Sequence, residues 1–146
     1  MEDLLSLARR PPITIVPSAT VRDLATLLVK HKVGAALVLD AEGLLIGIVS
    51  ERDIVGRVVA TSADPDKTSV ADIMTKEVRT ARASDTPESA LQTMVVGHFR
   101  HLPIVDDAGK AVGTLSVRHL LREEVGELSR RNADLMNYIE ADGPSG

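Results

Sequence analysis

The stretch Gly34-Ala35-Ala36-Leu37-Val38-Leu39-Asp40-Ala41-Glu42-Gly43-Leu44-Leu45-Ile46-Gly47-Ile48-Val49-Ser50-Glu51-Arg52-Asp53 decides the fold. Two short apolar runs, Ala35–Leu39 and Leu44–Val49, flank a four-residue connection that opens on Asp40 and closes on Gly43. That is turn chemistry, so the runs read as an antiparallel hairpin. Ser50 then opens a helix, with Asp53 three places on. At that spacing the hydroxyl caps the helix while the carboxylate reaches back to the Ser50 amide.

The pattern returns 66 residues later. Residues 14–55 align with 80–121 without a gap, and nine of the 42 positions are identical, among them Asp40/Asp106, Gly43/Gly109, Gly47/Gly113, Ser50/Ser116 and Arg52/Arg118. The second hairpin is Leu102–Val105 with Ala111–Leu115, joined by Asp106-Asp107-Ala108-Gly109. Each copy begins with an extended piece, Ile13–Val16 or Arg79–Arg82. A helix follows, capped by Thr20 with Asp23 in the first copy and by Thr86 with Pro87 in the second. Its apolar face is Val21, Leu24, Ala25 and Leu28, or Ala90, Leu91, Met94 and Val95. The unit is therefore β-α-β-β-α, used twice, an α/β chain of the α+β type. One copy is too small to bury its own sheet and helices, so the two are expected to pack sheet to sheet about a pseudo-twofold axis.

Around these repeats the expected organisation is an N-terminal segment with a short helix (1–10), repeat 1 (11–62), a linker (63–73), repeat 2 (74–122), a C-terminal helix (123–140) and a disordered tail (141–146). The linker is polar and ends in a further capping pattern, Ser69-Val70-Ala71-Asp72. In the last helix, Leu121, Val125, Leu128, Asn132, Leu135 and Ile139 alternate by four and three. This spacing fits either a helix lying on its own domain or the seam of a homodimeric coiled coil.

Composition removes several function classes. The 146 residues are 44% hydrophobic and 26% charged but only 1% aromatic, with Phe99 and Tyr138 the sole rings. Base-stacking recognition of single strands needs more rings than this. A net charge of −4 is the wrong sign for a phosphate-backbone binder, so no nucleic-acid partner is expected. No cysteine is present, which excludes disulfides and thiolate chemistry. The apolar runs Gly34–Leu39 and Leu44–Val49 are six residues each, far short of a membrane span. With no basic-then-apolar leader in residues 1–20, a cytoplasmic protein is expected.

Catalytic signatures are missing: there is no Walker loop, G-x-G-x-x-G, H-E-x-x-H or G-x-S-x-G. The four histidines, His31, His98, His101 and His119, are scattered, so neither an enzyme nor a metal site is expected. What remains is the junction Gly47–Asp53. A helix start offers free amides to an anion. A carboxylate beside it can accept both hydrogen bonds of a ribose cis-diol, while a hydroxyl and a guanidinium can take phosphate oxygens. Ala35, Ala36, Ile15 and Ile48 leave room for a flat base.

The repeated unit, the Gly47-Ile48-Val49-Ser50-Glu51-Arg52-Asp53 junction and Arg100-His101-Leu102-Pro103-Ile104-Val105-Asp106 resemble the CBS domain over residues 10–122, and two tandem copies resemble the pair called a Bateman module. The chain looks like a stand-alone bacterial CBS-pair protein. The resemblance implies a regulatory module that binds AMP, ADP, ATP, S-adenosylmethionine or NAD between its repeats and signals through dimer geometry or a protein partner. A ligand-independent interaction scaffold is the alternative. Carried over, Ser50 and Asp53 match the hydroxyl and ribose carboxylate. Thr14 and Ile15 match the strand lining the base, and Gly34, Ala35 and Ala36 border the same slot. Arg100 and His101 match a phosphate-contacting position, and Arg52, Ser116 and Arg118 fall in the two Ser-x-x windows. The second copy departs from the pattern with His119 where the first has Asp53. A neutral imidazole has one acceptor nitrogen and cannot hold a diol in two-pronged fashion. One competent cleft per chain is therefore expected.

Overall fold

The computed structural model describes residues 4–129 and the side chains up to residue 123. A 3-10 turn, Leu4–Leu7, precedes β1 (Thr14–Ile15), α1 (Val21–His31), β2 (Ala35–Leu39), β3 (Leu45–Ser50) and α2 (Glu51–Ile54), which continues as a π-helical turn over Val55–Val59. Then come α3 (Val70–Ile73), α4 (Pro87–Gly97), β4 (His101–Val105), β5 (Ala111–Ser116) and α5 (Val117–Ser129). The twice-used unit forms two small sheets, β1-β2-β3 and β4-β5, with β1 parallel to β2 and each hairpin antiparallel.

Local chemistry explains these elements. Asp40 Oδ1 accepts the amides of Glu42 and Leu44, both at 2.9 Å, and Gly43 turns the chain at φ 82°. Asp106 and Gly109 repeat this arrangement. Thr20 and Asp23 close the expected capping box, and Thr86 caps α4 through the Ser89 amide. Ser69 departs from expectation: α3 forms, but the Ser69 side chain makes no capping bond. In the second copy the expected extended piece at Arg79–Arg82 reduces to one parallel bridge between Ala81 and Ile104.

The two cores are built by exchange. The first gathers Val21, Leu24, Ala36, Val38, Val49 and Val58 from repeat 1 together with Val70 and Ile73. The second gathers Ala90, Met94, Leu102, Ile104 and Leu115 from repeat 2 together with Leu4 and Leu7. The segment preceding each repeat thus completes the core of the other. Residues 70–73, read as linker from sequence, belong to the first core. Both exchanges are sealed by backbone pairing: Thr75 with Ile48, and Arg9 with Thr114. These pairs are themselves related by the 66-residue offset, so the pseudo-twofold covers residues 4–10 and 70–76 as well.

β2 is buried on both faces. Ala36 and Val38 enter the first core, while Leu37, fully buried, joins neither core and lies on the opposite face with Ala35. On that second face, Ala35 lines a cavity together with His98–His101 of the second repeat. Among the described residues no helix is long and apolar enough to cross a membrane. The seam positions Asn132, Leu135 and Ile139 and the tail 141–146 lie outside the described residues, as do the side chains of Val125 and Leu128.

Candidate functional site

A cleft of about 600 Å³ opens between the repeats, within the roughly 300–1,000 Å³ of small-molecule sites. One wall comes from repeat 1: Gly34, Ala35, Ile48 and the helix start Ser50–Asp53. A second comes from the strap Thr75–Arg79, and a third from the segment His98–His101.

Asp53 is positioned by the capping box. Its Oδ2 accepts the Ser50 amide at 2.8 Å and the Ser50 hydroxyl at 3.2 Å, while the Asp53 amide donates to Ser50 Oγ at 3.4 Å. The side chain is only 16% exposed, and Oδ1 faces Arg57 Nε at 3.7 Å. That distance is beyond hydrogen-bond length, so the lone pairs of Oδ1 stay open. The Glu51 amide is taken by the Gly34 carbonyl at 2.9 Å, which locks the helix start to the head of β2.

Gly34 lies where the repeats meet. A Cβ there would stand 3.3 Å from Glu51 Oε1 and 3.5 Å from His101 Cε1. His101 opens β4, and its pKa is held below the ordinary imidazole value, first by burial and then by the Arg100 charge. The cleft carries Arg52, Arg79 and Arg100 against Glu51, Asp53 and Glu77, over an apolar lining that includes Ala35, Ile48, Val55 and Val78. Such a site can accept hydroxyl protons, grip an anion by guanidinium forks and seat a flat apolar ring. Among the described residues no cluster of three or more His, Asp or Glu stands ready to hold a metal ion.

Of the residues singled out in the sequence, the structure brings together Gly34, Ala35, Ser50, Arg52, Asp53, Arg100 and His101. Thr14, Ile15 and Ala36 fall outside the cleft. Thr14 and Ile15 pair with Leu37 and Val38, and Ile15 packs on the first core; Ala36 is buried in that core. Consecutive strand residues face opposite ways, so Ala35 and Ala36 cannot line one slot together. Ser116 and Arg118 also lie elsewhere, at the start of α5, where Ser116 Oγ accepts the His119 amide at 3.0 Å. Sequence reasoning missed the strap residues Thr75, Glu77, Val78 and Arg79, together with Glu51, Val55, His98 and Phe99. The apolar match of Leu4 with Val70 and Leu7 with Ile73 at the same offset was the available signal for the strap.

Fold and cleft together define an internally repeated α/β module with a crevice of charged and apolar residues between its halves. The chain belongs to the CBS-domain family: the family model for the CBS domain matches residues 2–60 and again 70–126, a tandem pair. It is 35% identical over 118 residues to an uncharacterized protein of Methanopyrus kandleri, covering 81% of this chain and 60% of that one. It spans about a fifth of the length of the Arabidopsis thaliana CBS domain-containing proteins it also matches. Among solved structures it is similar to the CBS domain protein PAE2072 of Pyrobaculum aerophilum complexed with AMP, with 32% identity, TM-score 0.78, and 88% of this chain and 98% of that one covered. It is also similar to the CBS domain pair of protein MJ0100 in complex with 5′-methylthioadenosine and S-adenosyl-L-methionine, with 25% identity, TM-score 0.80, and 87% and 98% covered.

Proposed function

We propose that this chain is a regulatory module that binds an adenosine-containing nucleotide in the Asp53 cleft. The observation that carries this reading is the placing of a shielded carboxylate, Asp53, in one crevice with Arg52, Arg79 and Arg100 drawn from both repeats. Asp53 Oδ1 would receive the ribose hydroxyls, Ala35, Ile48 and Val78 would flank the base, and the arginines with His101 would meet phosphate. The AMP bound to the Pyrobaculum relative and the S-adenosyl-L-methionine bound to MJ0100 support this ligand class. A ligand that touches both repeats favours one relative arrangement of them over others, and that population shift is the signal passed to a homodimer mate or a protein partner in the cytoplasm.

Titration calorimetry with AMP, ADP, ATP, S-adenosylmethionine and NAD tests it. Saturable heat from at least one of them is expected. No heat from any of the five at millimolar concentration removes the reading. A second reading, a ligand-independent dimerisation scaffold, is favoured by Val29, Val59, Val95 and Val96, whose side chains stand exposed on the helices. A thermal-shift screen separates the two, because a ligand at one hundred times its Kd stabilises by about 2.7 kcal/mol and a scaffold gains nothing.

A further inference from the structure

Arg57 is not part of the cleft lining, yet it joins two of its walls. Its Nε stands 3.7 Å from Asp53 Oδ1, one helical turn back, and its Nη1 donates to the carbonyl of Ile73 at 3.2 Å. Ile73 ends α3, so its helix offers that carbonyl no partner of its own. Two residues on, Thr75 exchanges both backbone hydrogen bonds with Ile48, at 2.9 and 3.0 Å, and the chain then runs along the cleft to Arg79. One guanidinium therefore ties the sugar-side carboxylate to the root of the strap. Because Asp53 Oδ2 is committed to Ser50, Oδ1 is the oxygen left for a ligand. Arg57 steadies it by charge from beyond hydrogen-bond range and leaves its lone pairs open.

The second repeat shows the contrast. At the 66-residue offset, Asp53 becomes His119, Arg57 becomes Glu123 and Ile73 becomes Leu7. His119 Nε2 and Glu123 Oε1 stand 4.0 Å apart, the same pair with its polarity reversed. A carboxylate has no proton to give the Leu7 carbonyl, so Glu123 cannot make the tie that Arg57 makes beside Asp53.

We propose that Arg57 is a positioning residue for the cleft: it holds Asp53 and the strap Thr75–Arg79 in register without touching the ligand. This rests on the adenosine-nucleotide reading above. The test uses the full chain with Arg57→Ala, Arg57→Lys, Arg57→Gln, Asp53→Ala and the Asp53→Ala/Arg57→Ala double variant. Calorimetry is run with AMP and with adenosine, and amide hydrogen exchange is followed at Thr75–Arg79. Arg57→Ala is expected to weaken both ligands alike, by roughly five- to tenfold, the scale of one lost hydrogen bond. Lysine restores most of the affinity, and glutamine, which keeps a donor but no charge, restores less. In the Asp53→Ala background the Arg57 change costs markedly less than it does alone, because the residue acts through Asp53. Strap amides exchange faster in Arg57→Ala and not in Arg57→Lys.

Unchanged affinity in a folded Arg57→Ala overturns the proposal. A loss confined to AMP does so as well, since that marks a direct phosphate contact, and so do fully additive losses. Should Arg57→Ala fail to fold, the ranking of the lysine and glutamine variants decides the matter. If the wild-type chain binds none of AMP, ADP, ATP, S-adenosylmethionine and NAD, the nucleotide reading falls, while strap exchange in Arg57→Ala still upholds or overturns the tie.

Discussion

Leu44 and Lys110 occupy the same place in the two repeats, 66 positions apart, and they pair with each other in an antiparallel bridge. A residue that bridges its own counterpart marks the pseudo-twofold axis, here between the hairpin tips. Matched positions on the two sides of that axis can be compared directly, so a difference between mates is a change of chemistry at an equivalent place. At the helix start that follows each hairpin, Asp53 of the first repeat has His119 as its mate.

Replacing Asp53 with alanine separates capping from ligand binding. If Asp53 holds the ribose, its loss removes hydrogen bonds to a charged group, each worth about 1.5–3 kcal/mol, and nucleotide affinity falls by roughly ten- to a hundredfold. The capping box alone accounts for about 0.5–2 kcal/mol of stability. Calorimetry and urea unfolding on the same variant read the two effects apart. Equal nucleotide binding by wild type and variant rules out the ribose role.

Gly47→Ala is expected to loosen the strap. A Cβ at position 47 would stand 2.6 Å from Met74 Sδ and 3.1 Å from the Thr75 carbonyl oxygen. The methionine can swing aside, but the Thr75 carbonyl is held by the Ile48 amide. Overpacking of this kind costs about 1–3 kcal/mol, measurable as a lower urea midpoint. Its mate Gly113 meets Ala8 Cβ at 3.1 Å and the Arg9 carbonyl at 3.3 Å, so Gly113→Ala should behave alike. A midpoint unchanged in both variants contradicts the close crossing.

These glycines show what the sequence discloses and what it withholds. Gly47 and Gly113 are visible as an identical pair, as are the Asp-to-Gly turns and the Ser50–Asp53 box, because each is local chemistry with a fixed spacing. Where the strap docks is not legible, for the opposite reason. Its contact with β3 joins Thr75 to Ile48 across a whole helix and loop, and apolar Leu4, Leu7, Val70 and Ile73 do not say which repeat they will cover. Placing Thr14 and Ile15 on the cleft seats it within one repeat, whereas the exchange brings a wall of the cleft, Thr75–Arg79, in from the segment preceding the other.

His101 should make ligand-free stability depend on mild acid. Burial, with Arg100 second, depresses its folded-state pKa below 6.5, the value taken for the unfolded chain. Above pH 6.5 the imidazole is neutral in both states and contributes no slope. As pH falls below 6.5 the unfolded chain takes up the proton first, so stability declines until the folded-state pKa is passed. Urea midpoints measured from pH 8 to pH 5 should fall in wild type, and the part due to this group should vanish in His101→Gln. An identical slope in both proteins would falsify the assignment to His101.

The exchanged segments make a prediction about where the first core ends. Val70 and Ile73 belong to it, whereas Leu4 and Leu7 belong to the second core, although they precede the first repeat in the chain. Truncating a buried Leu to Ala costs about 2–5 kcal/mol, so Leu4→Ala should destabilise the whole protein despite its position at the edge of the sequence. A fragment of residues 11–76 keeps every member of the first core, while residues 1–68 keep Leu4 and Leu7 with nothing to cover and lack Val70 and Ile73. Circular dichroism and urea melts should show more structure in 11–76 than in 1–68, although 1–68 is the longer piece. Equal or greater structure in 1–68 would mean that each segment covers its own repeat and that the exchange is wrong.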